Sequence, residues 1–517
     1  MSSRPVKLGT RRSVLARAQS AAIARKLERL HPGLSVELVG IETRGDRIQD
    51  RPLSSVDGKE FFTAEIDAAL LDGAIDFTVH SYKDLSIERT PRLRLAAVPQ
   101  REQPFDIALF ARDVPERLAA GQGITLGTSS PRRMGLVPEF LQQALPHPSH
   151  KDIDIRVIEL RGNVDSRLRR LHETRGSARQ LDGIVLAFAG LARLWADETG
   201  HSLLEHLLPP LPRMVLPLSA CPAAPAQGAL GLECRAEDAA TAHLLAQLDH
   251  APTRRAVDAE RAMLAERGGG CHQRFGATQI EVPELGSLLY LRDAGQEPQL
   301  RWTPAQPLPA TSGAIRAWDG SRAERAAIEA LATGIASSLE RLPAAEALFI
   351  AHGRALPEPS LAHIKPGCRI YVPGLATWRT LAERGLWVEG CADGLGFALL
   401  EPLLREPLLQ LAPLPRWTVL THAGALDGWL PGQAIGTYRH REPTAAEAAT
   451  DAAAPPADAT HCYWHSSAQF DRWRPLAGLS VQHACGPGKT YDHLRRARVQ
   501  NLSMFPSVTQ WRSWLRL

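Results

Sequence analysis

The feature that most limits how this chain folds is a recurring unit: a short apolar run, a cap of glycine or hydroxyl residues, then a helical stretch with arginine at its mouth. Ile124 to Leu126 leads into Gly127-Thr128-Ser129-Ser130-Pro131-Arg132-Arg133, where Ser130 is placed to cap a helix and Pro131 to start it. Val157 to Leu160 leads into Arg161-Gly162-Asn163-Val164-Asp165-Ser166-Arg167, and Gly183 to Phe188 leads into Ala189-Gly190-Leu191-Ala192-Arg193. Strands that alternate with helices at this spacing pair in parallel through helical crossovers, which makes the architecture α/β. Five arginines from three such mouths line a cleft with planar two-pronged donors, suited to a ligand carrying several carboxylates.

The same unit occurs earlier in the chain. After Val6 to Leu8, residues Leu15, Ala18, Ala22, Ile23, Leu27 and Leu30 recur at spacings of three and four and predict a helix. Ser13 is its expected cap, and with Arg11 it puts a hydroxyl, backbone N–H groups and a guanidinium where an anion would bind. Ile75, Phe77 and Val79 alternate with Asp76, Thr78 and His80, a strand period that runs into Ser81-Tyr82-Lys83-Asp84. An ionisable pair at the carboxyl end of a strand in an open α/β sheet is placed for chemistry. The charged loop from Ser54 to Glu60, which contains Lys59 and precedes a helix expected over 62–71, has the composition of a lid. Farther on, a helix expected from Thr253 to Arg267 meets Gly268-Gly269-Gly270-Cys271. Three glycines tolerate positive φ and would hold the thiol on a tight loop, open to covalent chemistry, although a small buried thiol beside a glycine cap fits the same pattern.

At 517 residues and 44% hydrophobic content the chain is too long for one core, and several compact domains are expected. The balance of 60 basic against 56 acidic residues, net +4, is too mild to call for nucleic acid or a membrane as partner. Seven scattered cysteines with no C-x-x-C pair argue against a disulfide framework or a zinc ribbon and suit a reducing compartment. With charges in the first dozen positions and no apolar run of membrane length, a cytoplasmic protein is expected. We also expect a monomer.

Taken in order, these stretches resemble the porphobilinogen deaminase (hydroxymethylbilane synthase) family. The matching pieces are Gly9-Thr10-Arg11 with Ser13, Thr43-Arg44-Gly45-Asp46, His80-Ser81 with Lys83-Asp84, Gly127 to Ser130 with Arg132-Arg133, and Leu160 to Val164 with Arg167. Gln227-Gly228-Ala229, Leu232 to Arg235, and Glu260-Arg261-Ala262 followed by Gly269-Gly270-Cys271 complete them, over roughly the first 340 residues. The resemblance implies two periplasmic-binding-protein-like α/β domains, 1–100 with 205–228 and 101–204, and a small α+β domain, 229–345, that carries the cofactor cysteine. It implies a dipyrromethane cofactor joined to Cys271 by a thioether and a chain that grows by four porphobilinogen units. Each unit loses ammonia to give an electron-poor azafulvene, which the terminal pyrrole carbon attacks. In that scheme Asp84 supplies negative charge near the pyrrole nitrogens and Lys83 assists it. Arg132, Arg133, Lys83, Asp84 and Ser129 hold the cofactor, and Arg11, Ser13, Arg161, Arg167, Arg193 and Lys59 bind the substrate. This chain departs from the family pattern at Ser55 and Glu60 in the lid, at Val14 and Ser86, at Phe105, and in His272-Gln273-Arg274 after the cysteine. A different class, a non-catalytic two-lobed protein that closes on a small polycarboxylate, would use the same arginines but needs neither Asp84 nor Cys271.

Residues 346–517 are expected to form a compact α/β region of their own. Gly486-Pro487-Gly488-Lys489-Thr490 fails as a phosphate loop, because the first glycine of that motif would fall at His483. His461 and His465, four residues apart on a strand, would be separated by about 13 Å, and no metal site is expected. The region resembles the uroporphyrinogen-III synthase family in three places: a strand ending in Tyr438-Arg439-His440-Arg441, a strand followed by Ser466-Ser467, and the Gly486 to Thr490 turn opening a helix. That likeness points to Tyr438 and Thr490 as site residues.

Overall fold

The computed structural model describes residues 5–43, 63–147, 152–209, 211–270, 273–311, 314–320, 328–440, 454–474 and 481–516. The chain divides into two compact units, the first comprising 1–143, 150–280 and 289–301, the second 144–149, 281–288 and 302–517.

The first unit contains two five-stranded sheets built alike. In one, the order is Val36–Ile41, Val6–Arg11, Phe77–Ser81, Leu230–Arg235, Leu93–Ala97. The first three run parallel, and Leu230–Arg235 is antiparallel to both its neighbours. In the other, the order is Ile155–Glu159, Ile124–Thr128, Gly183–Ala187, Asp106–Phe110, Arg213–Leu216, again three parallel strands followed by an antiparallel one. The chain therefore crosses between the sheets twice, in 98–105 and in 217–229. This corrects the expectation that 205–228 returns strands to the first sheet. Arg213–Leu216 pairs with Asp106–Phe110 in the second sheet, and the strand that returns is Leu230–Arg235. Both are short apolar runs, and only pairing partners far away in sequence decide which sheet each joins.

Local signals place the helices well. Ser13 caps Val14–Leu30 by accepting the Ala16 N–H at 3.3 Å, and the helix turns Ile23, Ala24 and Leu27 into a core with Leu8, Phe77 and Leu232. Burying a leucine such as Leu27 fully is worth about 1.5–3 kcal/mol, so this stripe anchors the helix to its sheet. Pro131 opens the Pro131–Ala144 helix, as expected. The helix expected from Thr253 is Ala251–Ala265, and beyond it Gly268, Gly269 and Gly270 take φ values of 81°, 69° and 94°, a run that only glycine adopts without strain. Strands Phe275–Val282, Gly286–Asp293 and Gln299–Pro304 follow as a three-stranded sheet.

The second unit holds two further sheets. Six strands lie in the order Ile328–Ala330, Ala434–His440, Thr418–His422, Ala347–Ile350, Arg369–Val372, Gly390–Cys391, parallel throughout except for the antiparallel edge strand Ile328–Ala330. Four parallel strands, Ala317–Trp318, His461–Trp464, Gln482–Cys485 and Leu502–Met504, form the other. The helix Ala332–Arg341, inside the expected third deaminase domain 229–345, belongs to this second unit instead. Its Gly334 lies so close to the 434–440 strand that a β-carbon would come within 2.2 Å of the Gly436 carbonyl oxygen. The compact second unit thus takes in the chain from Trp302, ahead of the expected boundary at 346. No described helix is long and apolar enough to cross a membrane.

Candidate active site

The strand Phe77–Ser81 ends in one turn of 3-10 helix, Tyr82–Asp84, which holds Lys83 half-buried and Asp84 exposed at the carboxyl end of the sheet. The Tyr82 N–H donates to the Ala229 carbonyl at 3.0 Å, which ties the turn to the second crossing. Gln19, buried in the first helix, exchanges hydrogen bonds with the Ser81 hydroxyl at 3.2 and 3.3 Å. Local sequence explains the turn, and contacts from distant segments fix its orientation.

Lys83 Nζ donates to Gln227 Oε1 at 3.2 Å. Gln227, 1% exposed, also accepts from Arg133 Nη2 at 3.3 Å, and its own amide donates to the Pro104 and Phe105 carbonyls and to Asp106 Oδ1 at 2.8 Å. One amide side chain therefore joins the lysine of the first sheet to the charged cluster at the root of the second.

That cluster is centred on Asp106. Arg132 Nη2 donates to Oδ2 at 2.6 Å and Arg133 Nη2 to Oδ1 at 2.8 Å, while their other prongs reach the Pro222 and Val185 carbonyls. Burial alone would push the Asp106 carboxyl up, but the two guanidiniums overcome it and hold it well below the usual carboxylate range. Arg132 and Arg133 were expected to hold ligand carboxylates. Here they are 2% and 5% exposed and spent on Asp106, because two cations pulled out of water need a fixed anion beside them. A ligand carboxylate would have to compete with that anion.

Arg167 differs. Its Nε donates to the Gly162 carbonyl at 2.7 Å and its Nη1 to the Ser129 hydroxyl at 3.2 Å, both neutral oxygens. Burial, with Arg133 and Arg161 nearby, pushes its pKa down to about 10, and only Asp84 works in the opposite direction. Lys83 behaves alike: burial pushes it down to about 8, against the pull of Asp84. Arg193, on the Phe188–Trp195 helix, donates to the Gly228 carbonyl, and burial lowers its pKa to about 10. Lys83 and Arg167 are thus half-buried cations hydrogen-bonded to neutral oxygens, and the Asp84 carboxylate acts on both. Such a site gains from any ligand that brings carboxylates of its own.

The structure brings Lys83, Asp84, Ser129, Arg133, Arg161 and Arg167 into one electrostatic neighbourhood. Arg11 and Ser13 sit at the mouth of the first helix, whose Leu15 packs 3.6 Å from the β-carbon position of Gly190 on the helix that carries Arg193. Cys271 and Lys59 lie outside the described residues. Asp106 was not singled out by sequence, yet its signal was present: a lone carboxylate opening the apolar strand Asp106–Phe110. Gln227 was quoted in a motif without a role.

In the second unit Tyr438 is buried, with its ring 5.8 Å from that of His352 and 5.3 Å from that of His422. The three belong to neighbouring strands, or the residues just after them, at the carboxyl end of the six-stranded sheet. His352 Nδ1 accepts the Arg354 N–H and His422 Nδ1 the Gly424 N–H, so in the neutral rings the proton sits on Nε2. Thr490 stands in the first turn of Lys489–Arg496, its hydroxyl 3.5 Å from the His465 carbonyl oxygen. Among the described residues one metal-like trio occurs, Asp67, His80 and Glu233, but Arg89 bridges the two carboxylates at 2.7–2.8 Å and takes the place of an ion.

Residues 6–243 match the family described as "Porphobilinogen deaminase, dipyromethane cofactor binding domain". A porphobilinogen deaminase of Syntrophotalea carbinolica is 44% identical over 279 residues, 54% of this chain and 79% of that protein. One from Roseiflexus sp. is 42% identical over 279 residues, 54% of this chain and 82% of that protein. Among solved structures, the benzoate-bound effector domain of BenM overlaps 52% of this chain and 96% of its own at 13% identity, with a TM-score of 0.26, a likeness too low to carry an argument.

Proposed function

This chain belongs to the porphobilinogen deaminase family, and from that premise we propose how its residues perform the reaction. It is a hydroxymethylbilane synthase, which joins four porphobilinogen units in turn, with loss of ammonia at each, on a dipyrromethane cofactor. The observation that carries our reading is the pair of half-buried cations, Lys83 and Arg167, held on neutral oxygens with Asp84 acting on both. They fit a cofactor and substrate that carry acetate and propionate groups. A dipyrromethane joined to Cys271 would be held through its carboxylates by Lys83, Arg167 and Ser129, and would supply a nucleophilic pyrrole carbon for the coupling. Asp84 holds negative charge against the pyrrole nitrogens as they become cationic and takes up the proton released at each coupling. Arg167, with Ser129, and Lys83, held by Gln227, orient the carboxylates. Arg11, Ser13, Arg161, Arg193 and Lys59 extend the cationic lining, and Arg132 and Arg133 act through Asp106 as the support behind it. The matches to named deaminases favour this over a non-catalytic binder for a small polycarboxylate.

The intact mass of the native protein tests the attachment. Cys271→Ala should lack a covalent addition equal to two linked pyrrole units that the parent carries, and a parent of bare sequence mass, prepared with substrate present, would overturn the assignment.

For the second unit, the placement of Tyr438 between His352 and His422 at the carboxyl ends of parallel strands favours a ligand site, since open α/β sheets bind ligands there. We infer that it acts on released hydroxymethylbilane as a uroporphyrinogen-III synthase, with Tyr438 and Thr490 in the site. Hydroxymethylbilane left alone closes to the symmetric type I ring. The full chain fed porphobilinogen should therefore give mainly type III, and Tyr438→Phe should raise the type I share at an unchanged deaminase rate. Type I from the parent would leave this unit a packing or docking role.

A further inference from the structure

Arg261 sits near the C-terminal end of the Ala251–Ala265 helix, ten residues before Cys271, and is 9% exposed. Its guanidinium faces the backbone of the turn that carries the acid. Nη1 donates to the Tyr82 carbonyl at 3.3 Å and to the Leu85 carbonyl at 3.0 Å, and Nη2 donates to the Ser86 carbonyl at 2.8 Å. These oxygens flank Lys83 and Asp84 on both sides, so one rigid planar group spans the whole turn. The guanidinium carbon also lies 4.5 Å from the centre of the Tyr82 ring, which adds a cation–π contact at the base of the turn.

A second contact joins the same two segments. At Gly269, in the glycine run that leads to Cys271, a β-carbon would meet Ile87 Cγ1 at 3.4 Å. The helix thus grips the 82–87 segment at two points, through a side chain of its last third and through the glycine backbone beyond its end. Asp84 itself is exposed at the tip of the turn, between the carbonyls that Arg261 holds.

We infer that Arg261 is a positioning residue for the deaminase reaction: by clamping the carbonyls on either side of Asp84, it registers the acid against the helix end that carries the cofactor cysteine. The inference rests on the reading of Asp84 as the reacting carboxylate. Its physical content is that a structure which must serve four successive couplings needs the acid and the anchor of the growing chain held at a constant separation, and one buried side chain links the two. Loss of the clamp leaves three carbonyls short of a charged donor and lets the turn relax, while the carboxylate-binding cations of the cleft stay in place.

The test uses the full chain with its cofactor and compares Arg261→Met, Arg261→Lys and Asp84→Asn with the parent. In Arg261→Met the covalent cofactor mass should persist and KM should stay within about two-fold, while kcat falls about 100-fold, the scale expected when a reacting group is displaced by about 1 Å. Arg261→Lys keeps the charge and can reach one carbonyl, so it should recover part of that loss. Amide hydrogen exchange at Leu85, whose N–H closes the turn onto the Tyr82 carbonyl, should speed up in both. Parental kcat in a folded Arg261→Met, or a raised KM with kcat intact, overturns the proposal. Should Arg261→Met not fold, parental kcat and parental exchange in Arg261→Lys overturn it in the same way. Asp84→Asn separates the two failures. Parental turnover there removes the acid and this proposal with it, whereas a slow Asp84→Asn beside a fast Arg261→Met removes the positioning role alone.

Discussion

Replacing Asp106 by asparagine keeps shape and removes one charge from the point on which two buried guanidiniums converge. Arg132 Nη2 lies 2.6 Å from Oδ2, and Oδ1 accepts from both Arg133 Nη2 and the Gln227 amide at 2.8 Å. In asparagine one of these oxygens becomes an N–H₂ group, so at least one guanidinium faces a donor at hydrogen-bond distance. Breaking a buried pair by removing one partner costs about 3–5 kcal/mol, because the partner charge stays buried without compensation. For a unit of this size that lowers the melting temperature by roughly 10 °C. Calorimetry at pH 7 is the assay, since a chain of two units need not melt in one step. The sign of the pH dependence follows from the depressed Asp106 pKa. Its stabilisation is fully present above the ordinary carboxylate value of 3.8 and is lost as pH falls through the folded value, so the gap between parent and variant should narrow below about pH 4. Because Gln227 also holds Lys83, turnover of folded Asp106→Asn should drop as well. A variant melting within about 1 °C of the parent at pH 7 would refute the argument that these arginines depend on Asp106.

Two further outcomes follow from the site. Asp84→Asn should retain the covalent cofactor mass and the parental melting temperature while kcat falls by about 10²–10³, the range for losing one preorganised electrostatic group, and near-normal turnover would place the chemistry elsewhere. Lys83 has its pKa pushed down to about 8 by burial, so its charge is present below that pH and lost above it. The KM for porphobilinogen should accordingly rise as pH passes about 8, and Lys83→Arg should move that rise to higher pH; a KM flat from pH 7 to 10 in the parent would exclude Lys83 from carboxylate binding.

What the sequence determined by itself is whatever neighbours in the chain decide. The caps at Ser13 and Pro131, the strand that delivers Lys83 and Asp84 to the carboxyl end of a sheet, and the glycine run after the Ala251–Ala265 helix follow from hydrogen-bond satisfaction, periodicity and allowed φ within a few residues. The eight short motifs in order were enough for family and reaction. Tertiary structure alone decided which arginines pair with a carboxylate of the chain itself. Arg132 and Arg167 look alike in sequence, each an arginine at the mouth of a helix, but Arg132 is paired to Asp106, 26 positions away, while Arg167 rests on Ser129 and the Gly162 carbonyl. It also decided that Arg213–Leu216 and Leu230–Arg235 join different sheets, and that Ala332–Arg341 packs in the second unit. The reason is common to all three. Pairing of strands, neutralisation of a buried charge and close approach of a glycine depend on segments brought together from 26 to about 150 residues apart in the chain, and neither local propensity nor spacing carries that information.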